Sequence, residues 1–253
     1  MRVKFLAGAA AACLAITATA ASAAEAPAYD LVIRNGRVLD GQGNPWVMAD
    51  VAIKDGRFAK IGKVDGHGKR EIDARGDYVS PGWIDMMDQS GEVLRVNGLA
   101  ENKLREGVTT AIAGEGGTPV GSAEVAAYFK ELETKGISMN FGSYYGAGQA
   151  RVEVMGDVAG VPTPEQMDKE RAHVDEAMRA GAIGIATALI YPPYSFQSTE
   201  ELVELAKVAH RYDGIYASHM RDESADLLKA IGESIEIGEK SGIEVELFHF
   251  KAA

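Results

Sequence analysis

From Pro81 onward, short apolar segments punctuated by glycine alternate with amphipathic stretches of helical length. No other feature of the chain constrains its fold as strongly. The apolar segments are 82–87, 108–113, 138–144, 183–189, 214–219 and 243–250. The helical stretches are 123–135, 164–180, 199–212 and 225–241. Ser198-Thr-Glu-Glu201 is a helix-capping signature, and Pro164 suits a first helical position. Strands that alternate with helices pair in parallel. Runs such as Ala182-Ile-Gly-Ile-Ala186 show no polar alternation, as expected of strands buried on both faces. Six such strands fit a doubly wound sheet or an incomplete barrel. No Gly-x-Gly-x-x-Gly joins a strand to a helix, and Gly114-Glu-Gly-Gly117 lacks the P-loop lysine, which demotes nucleotide binding. Polar residues gather at strand ends, where a barrel builds its active site. The expected fold class is therefore α/β, an incomplete (β/α)8 TIM barrel of about six strands over residues 79–253.

Residues 24–78 read as a small all-β domain, part of a composite β-sandwich. Apolar positions alternate on either side of Asn35-Gly36, which predicts a hairpin, and the pattern repeats around Asp55-Gly56. A further strand is expected over 70–79. Residues 1–23 read as a signal peptide: Arg2 and Lys4 precede an apolar run, and Ala21-Ser-Ala23 is a small-residue cleavage site. The expected location is secreted or periplasmic. Removal of the leader takes Cys13, the single cysteine, and leaves 24 basic against 37 acidic residues. A mature chain of net charge −13 is a poor nucleic-acid binder, and it holds no disulfide or thiolate ligand. No later segment reaches the ~20 apolar residues of a membrane span.

Two of the five histidines stand apart. His67 lies in a polar turn, and His173 and His210 lie within or near the ends of helices, where solvation or a helix terminus accounts for them. His219 and His249 each end an expected strand, 30 residues apart, about one strand-helix-strand unit. On adjacent barrel strands they point into one mouth, where imidazole is a common zinc ligand. Taken singly, each is more often a hydrogen-bonded core residue; their paired placement makes metal binding an even alternative. Glu115, in the glycine-rich turn after 108–113, offers a carboxylate in a matching place, or is an ordinary exposed turn acid.

Several segments in order resemble one family. Pro81-Gly-Trp-Ile-Asp85 resembles the entry to the first barrel strand of the amidohydrolase superfamily. Leu104-Arg-Glu-Gly-Val-Thr-Thr110, Gly181-Ala-Ile-Gly-Ile-Ala-Thr187, Leu189-Ile-Tyr-Pro-Pro193, Tyr216-Ala-Ser-His-Met-Arg221 and His249-Phe-Lys-Ala-Ala253 look like the N-acyl-D-amino-acid deacylase (D-aminoacylase) family. The resemblance implies a zinc-bearing barrel in which His219 and His249 hold the principal metal. It implies that Tyr191 and Lys251 contact the carboxylate side of the substrate. An aspartate after the eighth strand, beyond Ala253, is implied as general base, so no catalytic residue is assigned within the chain. The 175 residues from Val79 onward are about six-eighths of a typical barrel of about 250, so the chain reads as an N-terminal fragment that is inactive alone.

Three positions depart from the family pattern. Its first-strand His-x-His is replaced by Met87 and Gln89, weak partners for zinc. Its second-strand cysteine is missing, with Glu115 one position away as the substitute ligand. Ala147 stands at a usual histidine. These changes point to a divergent branch with one zinc ion held by Glu115, His219 and His249. The expected reaction is hydrolysis of a non-peptide amide C–N bond in a small N-acylated amino acid or related amide. The alternatives are a catalytically impaired binding protein, or a cyclic-amide or dipeptide hydrolase of the same superfamily.

Overall fold

A computed structural model describes residues 26–251, so the leader expected over 1–23 lies outside the described residues. The chain divides into two compact units, one up to Pro81 and one from Gly82. Among the described residues the first holds strands β1 (Tyr29–Val38), β2 (Val47–Lys54), β3 (Arg57–Gly62), β4 (Gly68–Asp73) and β5 (Tyr78–Val79), and no helix. They form one sheet in the order β3-β2-β1-β4, with β5 also paired to β1. Asp55-Gly56 makes the expected two-residue hairpin, pairing Lys54 with Arg57, with both turn residues at positive φ.

Asn35-Gly36 does not turn the chain. Strand β1 runs straight through it, and β2 lies antiparallel to both halves, from Leu31↔Ile53 to Val38↔Val47. The register slips between Ile33 and Gly36, so the pair forms a bulge. Polar partners hold it in place: the Asn35 backbone N–H donates to Asp50 and its side-chain amide donates to Asp73. A Cβ on Gly36 would lie 2.6 Å from Val79 Cγ2, so the bulge also needs a residue without a side chain. An Asn-Gly pair supplies positive φ equally well to a bulge and to a hairpin, and local sequence does not distinguish them.

The second unit is built on parallel pairs throughout. Its strands are β6 (Trp83–Asp88), β7 (Val108–Ala113), β8 (Asn140–Ser143), β9 (Tyr145–Gly146), β10 (Gly184–Ala188), β11 (Ile215–His219) and β12 (Glu244–Phe248). They form two sheets, β6-β7-β8 and β9-β10-β11-β12. Only Tyr144 separates β8 from β9, and its N–H donates to Ala113 of β7. Strand order follows chain order, without the reversal that defines a doubly wound sheet.

The helices are α1 (Gly91–Val96), α2 (Glu101–Arg105), α3 (Val125–Lys135), α4 (Ala147–Met155), α5 (Pro164–Arg179), α6 (Thr199–His210) and α7 (Leu227–Ser241). Thr163 and Gln166 form a reciprocal capping box on α5, with Pro164 in the first turn. Ser198 caps α6 by accepting from the Glu201 N–H. Alternate strand residues feed two apolar layers. Ile185 and Tyr216 pack with Val174, Leu202, Leu205 and Ile237 of the helices. Ala186 and Ala217 pack on the other face with Tyr144 and Phe248, and Met86 and Met87 close that layer.

A buried charge cluster ties α4, α5 and α6 together. Arg151, fully buried, donates to both oxygens of Glu201 at 2.9 and 3.1 Å and to the carbonyls of Val158 and Gly160. Gln197 donates to Glu201 and to the Ala147 carbonyl. Glu170 is also fully buried. Burial, and then repulsion from Glu201, push its carboxyl up to about 8.

Candidate metal centre

Three strand ends converge on one point. Glu115 follows β7, His219 is the last residue of β11, and His249 follows β12. Gly114 sets the Glu115 turn: its φ is +94°, and a Cβ there would lie 2.5 Å from the Tyr144 carbonyl oxygen. The Glu115 Oε1 atom then sits 2.7 Å from His219 Nδ1 and 2.6 Å from His249 Nε2. The two imidazole rings lie 4.3 Å apart, centroid to centroid. Burial pushes the Glu115 carboxyl up, but hydrogen bonds to His249 and His219 outweigh it and hold the group below its ordinary value.

The donor set fits zinc. Two imidazole nitrogens and a carboxylate oxygen lie within 4.8 Å of one another. Three protein ligands of these types, with a fourth position open, are the usual composition of a catalytic zinc site. Bonds of ~2.1 Å in tetrahedral geometry separate ligand atoms by about 3.4 Å, so the set needs to open by under 1 Å to admit an ion.

No model of a known protein family matches the chain. The D-aminoacylase of Alcaligenes xylosoxydans xylosoxydans is 30% identical over 252 residues, which cover 91% of this chain and 52% of that protein. A solved D-aminoacylase structure superposes with a TM-score of 0.82 at 29% identity, over 88% of this chain and 52% of that one; it is described as having a binuclear metal centre, with one-metal activation and second-metal attenuation. The N-acyl-D-glutamate deacylase of Bordetella bronchiseptica, solved with zinc and a phosphonate inhibitor, superposes with a TM-score of 0.80 at 27% identity, over 88% of this chain and 52% of that one. Over about nine-tenths of its length the chain is similar to D-aminoacylases and N-acyl-D-amino-acid deacylases. It spans about half the length of the curated relatives it matches.

Each departure from the family pattern has a structural place. Met87 packs against the Tyr144, Ala186, Ala217 and Phe248 layer. Gln89 has a polar role: its amide donates to Glu115 Oε2 at 2.7 Å. One Glu115 oxygen thus faces the histidines and the other is held by Gln89. Ala147 is fully buried in the helix-side core, at the start of α4.

Tyr191 is exposed, and its ring stands edge-on to His219 with centroids 5.3 Å apart. Lys251 donates to Glu223 Oε2 at 2.7 Å. That bond holds the Glu223 carboxyl below its ordinary value against its burial. Glu223 Oε1 lies 3.3 Å from His219 Nε2. Sequence reasoning did not single out Glu223. Its only signal is its place four residues after His219, beyond the end of the strand, and that spacing has no meaning until the loop's path is known. His67, by contrast, faces Glu71 in the first unit, and His173 lies on α5 against Ser122 and Glu153.

Proposed function

We propose that this protein hydrolyses the amide bond of small N-acylated amino acids with one zinc ion held by Glu115, His219 and His249. The observation that carries this reading is the convergence of the two histidine nitrogens on a single Glu115 oxygen. Its support from relatives is the deacylase activity named for proteins 30% identical to this chain. The parallel strands in chain order are read as consecutive strands of a (β/α)8 barrel, with the site at their C-terminal ends. The sheet of the first unit is read as the small β domain of the family, and residues 1–23 as a leader that directs the protein to the periplasm or outside.

A zinc ion at this site polarises the scissile carbonyl and acidifies a water, toward a pKa of ~7. The chain's own residues supply the rest. Glu115 carries the negative charge of the site, and Gln89 fixes which of its oxygens faces the histidines. Replacement of the family's first-strand histidines by Met87 and Gln89 removes the imidazole donors from that strand, and its carboxylates, Asp85 and Asp88, are paired with Lys103, in keeping with one ion in place of two. Lys251 has three N–H donors, of which Glu223 takes one, so it can also receive the substrate carboxylate. The exposed Tyr191 hydroxyl orients the same end of the substrate.

The test is metal content and turnover, in wild type and His249→Ala purified without chelators. Near-stoichiometric zinc in wild type, and its loss in the variant, is expected. Release of free amino acid from a panel of N-acyl-D- and N-acyl-L-amino acids identifies the reaction. Wild-type protein that holds no stoichiometric metal would remove the reading.

A further inference from the structure

We propose that Glu223 is the positioning residue for His219: its carboxylate accepts the imidazole Nε2–H, which leaves a lone pair on Nδ1 for the metal. The inference rests on the zinc reading above and goes beyond it, to a residue outside the three ligands.

Two buried atoms beside the site lack partners. His219 Nε2 and Glu223 Oε1 are both buried, and neither has a hydrogen-bond partner among the described residues. Buried polar atoms are rarely left so, because desolvation is not then offset. These two face each other at 3.3 Å. One proton on Nε2 satisfies both atoms once ring and carboxylate turn to bring the N–H into line, since 3.3 Å is already within hydrogen-bond reach. The same proton fixes the chemistry at the other end of the ring. A neutral imidazole carries one N–H; the Nδ1 proton that bonds Glu115 in the ion-free site would give way to the ion, and a proton on Nε2 then leaves Nδ1 bare. Nδ1 is the nitrogen that faces Glu115 and the ligand cluster. A carboxylate behind a ligating imidazole orients the ring and strengthens its donation.

Glu223 is itself held in place. Its second oxygen accepts from Lys251, which follows β12, while Glu223 follows β11. Its side chain keeps only 13% of its exposure, so solvent does not replace that tether. Tyr191 packs edge-on to the His219 ring, so the imidazole is confined by an aromatic neighbour as well as by carboxylates. Lys251 thereby joins the substrate end of the site to a metal ligand through one carboxylate.

The experiment measures zinc affinity of the full chain, wild type and Glu223→Ala, by competition with a chromophoric chelator. Thermal midpoints of the metal-free proteins run alongside. Glu223→Ala is expected to weaken zinc binding by about ten- to a hundredfold, with the metal-free midpoint unchanged. Affinity within twofold of a zinc-binding wild type overturns the assignment and leaves the zinc reading intact. A wild type that binds no zinc overturns both. If the alanine variant does not fold, nitrogen-15 spectra of the zinc-loaded wild type decide. They should show His219 as the Nε2–H form, with a ring proton protected from exchange. A ring proton that exchanges at the rate of a free imidazole overturns the assignment.

Discussion

The molecule buries two clusters of charge, and they are closed in different ways. Among α4, α5 and α6, Arg151 meets Glu201 with two hydrogen bonds from Nη1 and gives Nη2 to the carbonyls of Val158 and Gly160. At the strand ends, two histidines meet the single carboxylate of Glu115, and His219 keeps a buried nitrogen without a hydrogen bond. The first cluster pairs a guanidinium directly with a carboxylate, and its unpartnered atoms are Arg151 Nε, Gln197 Oε1 and the two Glu170 oxygens. The second is rich in acceptors and lone pairs, and an added cation would complete it. Neither burial of charge nor an unpartnered atom by itself marks a site; the convergence of three ligand atoms of the types zinc takes does.

The largest expected effect of breaking this contrast lies in the closed cluster. Arg151→Met leaves Glu201 buried without its cation and should cost about 3–5 kcal/mol of stability, read from the urea midpoint. The double change Arg151→Met with Glu201→Met should recover most of that loss, because a matched apolar pair avoids the desolvation of both ions. At the open cluster, Glu115→Ala should abolish zinc retention while the metal-free midpoint moves by less than about 1 kcal/mol, since no ion pair of comparable burial is broken. Next in size is Gln89→Ala, which frees the second Glu115 oxygen and should weaken zinc about tenfold, measured by chelator competition. An unchanged affinity would reduce Gln89 to a passive replacement.

A different kind of effect is a change of slope with pH. Glu170 ionises at about 8 in the fold against an ordinary value of 4.5. Between those values the folded state keeps a proton that the unfolded chain has released. Stability from this group is thus complete below pH 4.5 and declines as the pH rises to about 8. Glu170→Gln should flatten the decline, as seen in thermal midpoints measured from pH 5 to pH 9. A decline of equal steepness in the variant would place its origin elsewhere.

The parallel architecture was legible in the sequence because its strands are buried on both faces and its longer helices carry strong start signals. α5 opens at Pro164 and α6 at Ser198, as their capping residues announce. The short helices α1 and α2 were not legible, since five or six residues give no helical period to read. α4 starts in Ala147-Gly148 without a capping side chain, and its burial of Arg151 is decided by partners 50 residues away. The histidine pair was readable from strand-end position alone. The Gln89 and Glu223 contacts were not, because each depends on where a loop returns relative to a different strand.

Chain-ordered pairing in the second unit also shapes how it can assemble. Gly184 pairs with Ile215, and Ile215 with Glu244, separations of 31 and 29 residues. From β10 to β12, each added strand pairs with the strand before it across one α-helix. Loop-closure entropy grows only with the logarithm of loop length, so the range from 25 residues (Trp83↔Val108) to 40 (Tyr145↔Ile185) changes the cost of each addition little. The unit can grow by repeated steps of similar height, and Glu115, which precedes the two histidines by 104 and 134 residues, waits longest for its partners.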